Sequence, residues 1–148
     1  MSSHARPKPH RGVFDAPYWE YAQARELRLQ RCSRCARFRY PPGPVCPQCL
    51  SDACEWTALS GRGRVLAWTV FHRPYFPELP VPYTVVSVAS EEGPILIGNL
   101  VNASDTALRL ELPVRAVFED VHSDDGLWRI CQWEPVSAQI INRERSST

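Results

Sequence analysis

The chain has 148 residues, 44% of them apolar and 22% charged, with 17 Lys and Arg against 16 Asp and Glu. That length suits one ordinary domain or two small ones and is too short for a multidomain enzyme, and a net charge of +1 lacks the basic excess of a protein held mainly by nucleic-acid phosphates. No apolar run approaches the roughly 20 residues that cross a bilayer, and the N-terminal MSSHARPKPHRG has charge without the apolar core of a signal peptide, so the expected location is the cytoplasm.

Residues 1–14 read as a flexible tail. The first predicted element is a short helix over 15–26, DAPYWEYAQARE, with Asp15 as N-cap and Pro17 in the first turn, where a missing N–H costs little. Tyr18, Trp19 and Ala22 share one face of it. Such a short helix cannot bury large aromatics alone. Tyr18 and Trp19 therefore either pack on the rest of the chain or dock a partner, and spacing gives the two readings equal weight.

Cysteine spacing is the strongest signal. Six cysteines without an export signal point to metal ligands or free thiols rather than disulfides. Cys32-Ser-Arg-Cys35 and Cys46-Pro-Gln-Cys49 are two CxxC pairs ten residues apart. Each tight turn aims two sulfurs at one point, and the intervening segment can return the chain so that four thiolates close a tetrahedron around Zn²⁺. The surrounding sequence is polar and Pro-rich, so metal binding would supply folding energy that no local apolar core can. A redox CxxC normally stands alone at the head of a helix in a βαβ pattern, which is not the context here. With four protein ligands no coordination position stays open for catalysis. Cys54 and Cys131 read as ordinary small residues.

After the ribbon the pattern has period two. Ser60-Gly-Arg-Gly63 reads as a turn, and strands are predicted at 64–72, 83–89, 95–101, 114–121 and 127–133. Five strands without a long amphipathic helix between them point to a small β-barrel, with the OB-fold as leading candidate. Glu91-Glu-Gly-Pro94 fits a hairpin turn, and 103–112 a short helix or irregular crossing. Between the first two of these strands, prolines at 74, 77, 80 and 82 hold Tyr75 and Phe76 on a stiffened loop. The rings serve either binding or as a plug over the barrel end, with binding favoured.

In order, the Trp19-x-Tyr21 helix, the CxxC pairs with PPGPVCPQC, EWTALSGRGRVLAWTVFHRP, EEGPILIGNLV and PVRAVFEDV resemble the DUF35 family, over about 18–133. The resemblance implies a helix plus rubredoxin-like zinc ribbon over 15–59 and an acyl-CoA-associated OB-fold over 60–136, followed by a polar tail at 137–148 that matches no shared motif. The implied metal ligands are Cys32, Cys35, Cys46 and Cys49, and the family's Gly-x-Gly turn falls on Gly61 and Gly63. It further implies a non-catalytic companion of thiolase-superfamily enzymes, among them acyltransferases and retro-aldolases that shorten steroid side chains. The family carries no catalytic triad. The expected partners are thus a thiolase-like subunit, in a hetero-oligomer that can include a homodimer of this chain, and a CoA thioester as shared ligand.

A CoA site calls for Arg at the nucleotide end and an apolar slot for the pantetheine arm. Arg62, Arg64, His72, Arg73, Tyr75 and Phe76 offer that mixture and are expected to lie in one neighbourhood. An independent enzyme would need a nucleophile, base and oxyanion site in mutual reach. There is no GxSxG, HExxH or P-loop, and His72, His122, Asp120, Asp124 and Asp125 read more simply as strand and turn residues. The competing class is a single-strand nucleic-acid binder, with Trp68, Tyr75 and Phe76 stacking bases. Charge argues against it: residues 40–148 carry thirteen acidic side chains against eight basic, while the basic excess, nine against three, lies in residues 1–39.

Overall fold

A computed structural model describes residues 6–103, 108–123 and 126–136. The chain runs α1 (Ala16–Gln23), β1 (Arg28–Cys32), β2 (Phe38–Arg39), β3 (Cys54–Ala58), β4 (Arg62–Phe71), β5 (Tyr83–Ser90), β6 (Ile95–Leu100), β7 (Pro113–Ser123) and β8 (Gly126–Pro135). All five strands expected of the barrel are present, β7 and β8 being longer than their apolar runs suggest. Of the expected crossing at 103–112, residues 104–107 lie outside the described residues, and 108–112 have no regular structure.

Helix α1 differs from expectation at both ends. Asp15 occupies the N-cap position, yet its carboxylate makes no capping bond; it accepts instead from the Gly12 N–H and from Trp19 Nε1. The helix stops at Gln23 because Arg25 turns left-handed, with φ of 61°. The N–H groups of Glu26 and Arg25 then reach back to the carbonyls of Tyr21 and Ala22, a Schellman closure built without glycine.

Strands β2, β1 and β3 form a small antiparallel sheet in that order, and β4-β5-β6-β8-β7 close into a barrel. Four barrel pairings are antiparallel, and β6 meets β8 in parallel at a single register pair, Leu100 with Trp133. The seam between β4 and β7 pairs only Arg62, Gly63 and Arg64 with Arg115, Val114 and Pro113. Gly63 is required there: a Cβ would stand 2.5 Å from Val88 Cγ1 and 2.6 Å from the Ala89 carbonyl oxygen.

Ribbon and barrel share one core. Leu27 and the β1 residue Leu29 are buried with Val65, Val86, Val88, Leu112, Val114 and Trp133, and Tyr18 and Phe38 pack against the cluster. The apolar area that the ribbon cannot bury within itself is removed from water against the barrel.

Ion pairs tie the helix end to the β7–β8 hairpin. Asp120 accepts from Arg129 Nε at 2.7 Å and from Arg25 Nη2 at 3.0 Å, and the Arg129 hydrogen bond, aided by both guanidinium charges, lowers its carboxyl pKa. Glu134 is lowered by its bonds to Asn102 and Arg115. A depressed carboxyl stabilises the fold above its unfolded pKa and loses that contribution as pH falls through its folded value. Asp120→Asn is therefore expected to lower stability slightly near neutrality, where the wild-type carboxylate is ionised, and to converge with wild type as pH falls below about 4, as read from urea midpoints at neutral and acid pH.

Candidate functional site

The two CxxC segments fold identically. The Cys32 N–H donates to the Arg37 carbonyl and the Ala36 N–H to the Cys32 carbonyl; the Cys46 N–H donates to Ser51 and the Leu50 N–H to Cys46. The residue after each pair is left-handed, Ala36 at φ 61° and Leu50 at φ 60°. These paired turns bring the sulfurs of Cys32, Cys35, Cys46 and Cys49 all within 4.8 Å of one another. Cys32 lies 3.6 Å from Cys49 and Cys35 lies 3.5 Å from Cys46, sulfur to sulfur. Zinc–sulfur bonds of about 2.3 Å in a tetrahedron put sulfurs roughly 3.8 Å apart, so the cluster fits the ion with little movement.

Backbone polarity prepares two of the thiols as thiolates. The Cys35 N–H, with help from those of Arg34 and the neighbouring side chains, holds the Cys32 pKa down to about 6 against the opposing effect of burial. Burial likewise opposes ionisation at Cys46, but the N–H groups of Cys49 and Gln48 leave its pKa lowered. Four soft thiolates fill a tetrahedral shell, so zinc here would crosslink the two turns and offer no position for substrate. Cys54 and Cys131 stand apart from the cluster, and burial pushes the Cys131 thiol up to about 12.

Arg39 is part of this centre and was not legible from spacing. Buried on β2, it donates from Nη1 to the carbonyls of Gly43, Pro44 and Asp52, and from Nη2 to those of Ser51 and Ala53 at 2.8 and 3.0 Å. Its guanidinium also contributes to lowering the Cys32 pKa, and its buried Nε has no hydrogen-bond partner among the described residues. Gln30, opposite Arg39 in register, accepts the Gly43 N–H at 2.9 Å. Two buried polar side chains thus fix the loop between the knuckles, and the guanidinium places a positive charge beside a site that bears net negative charge when zinc-loaded. Arg39→Lys keeps the charge but loses the planar fork, and supporting residues of this kind alter metal affinity by about 10–100-fold. Chelator competition on the variant is expected to show a loss in that range.

The residues expected to hold CoA are not brought together. Arg62 and Arg64 stand at the start of β4, whereas His72, Arg73, Tyr75 and Phe76 follow its far end. At about 3.3 Å per residue, the strand holds the two groups roughly 25–30 Å apart. Arg62 Nε bonds both carboxylate oxygens of Glu91, at 3.0 and 2.9 Å, and Arg64 Nη1 donates to the Glu111 carbonyl. His72 and Arg73 are exposed. Tyr75, 77% exposed, meets Phe76 edge to face.

The aromatics of α1 turn inward. Tyr18 packs against the shared core, and burial raises its phenol pKa strongly. Trp19 meets Trp128 of β8 edge to face, with ring centroids 6.3 Å apart.

Beyond Arg64, β4 has no β7 partner among the described residues. A register shift between Val65 and Ala67 marks a bulge, which turns the strand away from closure. Trp68 stands opposite Val86 and Val70 opposite Thr84. Val86 is fully buried, so Trp68 belongs to the inward face, yet Trp68 is 41% and Val70 39% exposed. The barrel is closed through the start of β4, and the rest of that strand leaves an apolar seam partly exposed.

A four-thiol ribbon joined to a five-stranded OB barrel through one core defines a zinc-ribbon OB-fold protein. The chain belongs to the DUF35 family: residues 19–55 match the ChsH2 rubredoxin-like zinc ribbon domain and residues 56–119 the ChsH2 C-terminal OB-fold domain. It is 31% identical over 101 residues to a DUF35 domain-containing scaffold protein of Methanocaldococcus jannaschii, covering 66% of this chain and 72% of that one. It is 34% identical over 131 residues to the 3-oxo-4,17-pregnadiene-20-carboxyl-CoA hydratase alpha subunit of Mycobacterium tuberculosis, covering 88% of this chain but only 40% of that protein's length. A chain of a solved structure described as the Ltp2-ChsH2(DUF35) aldolase superposes with a TM-score of 0.78 at 30% identity, covering 86% of this chain and 98% of that one. No helix among the described residues is long and apolar enough to cross a membrane.

Proposed function

We propose that the chain is a non-catalytic scaffold subunit that docks a thiolase-like acyltransferase or retro-aldolase and helps form its acyl-CoA site. The open apolar seam of β4 carries this reading: inward-facing Trp68 and Val70 stay wet unless a second surface covers them. Leu66, also exposed, extends the strip. The likeness to a chain of an aldolase complex and to a scaffold protein supports an enzyme partner. A relative named for a steroid acyl-CoA supports lipid or steroid thioesters as the substrate class. Four thiolates need a reducing compartment, which favours the cytoplasm.

The test is affinity purification of the tagged chain from its native cells at moderate salt, with wild type beside Trp68→Glu. A stoichiometric thiolase-superfamily protein retained by wild type and lost from the variant is the expected result. Recovery of the chain alone, or with nuclease-sensitive nucleic acid, would overturn the reading.

A further inference from the structure

The N-terminal arm, α1, the proline-rich loop and β8 converge on an apolar slot of about 280 Å³. Its walls are Trp19 from α1, Phe76 and Leu79 from the loop, and Trp128 and Ile130 from β8, with prolines of the arm at its side. The sequence gives no hint of this meeting, because Trp19 and Phe76 are far apart in the chain and neither neighbours β8.

Two observations point to a small ligand. The first is composition and size: aromatic and aliphatic walls around a volume at the small end of ligand pockets, which run from about 300 Å³. A helix, about 10–12 Å across with its side chains, has no room in it. Arg6, the one charged residue of the lining, donates from Nε to Glu119 at 3.2 Å, so its charge is already compensated. The second observation is Trp128. Only 5% exposed, it has an indole N–H with no acceptor among the described residues. Buried indole N–H groups ordinarily find a partner. The nitrogen is covered in the structure, so an acceptor reaches it once a neighbouring side chain turns aside. Phe76, which lines the slot and is 42% exposed on its loop, is the side chain whose displacement the ligand would require.

We propose that this slot binds a neutral apolar ligand group, a short chain or ring, that carries one carbonyl oxygen, and that this oxygen accepts the Trp128 indole N–H. The site needs no residue from another chain, so its test is independent of whether the partner enzyme is found.

The experiment follows the five tryptophan indole N–H signals of the ¹⁵N-labelled full chain, with Trp128 assigned through Trp128→Phe, during titration with 2-octanone. Saturable downfield movement of the Trp128 signal, accompanied by Trp19, is expected, with Trp56 unmoved because its ring packs on Tyr21 elsewhere. Leu79→Trp, which fills the slot from an exposed loop, should weaken binding roughly tenfold or more. No saturable change up to the solubility limit would overturn the proposal. So would an equal response in Leu79→Trp, or a Trp128 N–H that exchanges with water as fast as that of exposed Trp68.

Discussion

Stripping zinc with a chelator, or replacing Cys46 by serine, is expected to unfold the ribbon and to destabilise the barrel with it. Structural zinc contributes about 10–16 kcal/mol of apparent binding energy in small ribbons, while whole domains are stable by only about 5–15 kcal/mol. Without the ion, the segment between the knuckles is held chiefly by Arg39 and Gln30 bonding its backbone at Gly43 and Pro44, too little to offset the entropy of ordering it. The damage spreads because Leu27 and Leu29 sit in the same core as Val65, Val88 and Trp133. Elemental analysis should find one zinc per chain in wild type, in Cys54→Ser and in Cys131→Ser, and little in Cys46→Ser. Thermal unfolding followed by circular dichroism should show the chelated protein losing barrel as well as ribbon signal. An unchanged melting temperature after metal removal would show that the thiols do not depend on an ion.

Legibility in the sequence follows how local each cause is. The four ligands and the five barrel strands are local: CxxC spacing dictates a turn, and alternation dictates a half-buried strand. Arg39 was missed because its partners are carbonyls at 43–53, which become neighbours only once both knuckles close. The left-handed turns were hidden for a related reason: Arg25, Ala36 and Leu50 take positions where glycine would have signalled them. Grouping Arg62 with His72 failed because closeness along a strand is distance in space. The open seam depends on a bulge at Val65 and on where β7 stops pairing, neither of which alternation reveals. The helix aromatics meet their own barrel, and an exposed apolar strip lies on β4.

Trp133→Ala is expected to be the most damaging substitution outside the metal centre. The side chain is almost wholly buried, and its position closes the barrel: Trp133 makes the only register pair between β6 and β8, with Leu100, and its carbonyl accepts the Val101 N–H at 2.8 Å. Beside it, the Gln132 side chain accepts the Asn99 N–H at 2.8 Å and donates to Glu119 at 3.0 Å, standing in for ladder bonds that the short parallel pairing leaves unmade. Deleting a buried Trp side chain costs about 3–5 kcal/mol, which for a chain of this length lowers the melting temperature by about 10 °C or more. The space is set by Gly98, where a Cβ would stand 2.9 Å from Trp133 Cδ1. Gly98→Ala should therefore destabilise wild type by about 1–3 kcal/mol through overpacking, but much less once the indole is gone. Urea unfolding of the two single variants and the double variant closes the cycle. A combined loss well below the sum is expected, whereas strict additivity would mean that the glycine is needed for backbone conformation and not to admit the ring.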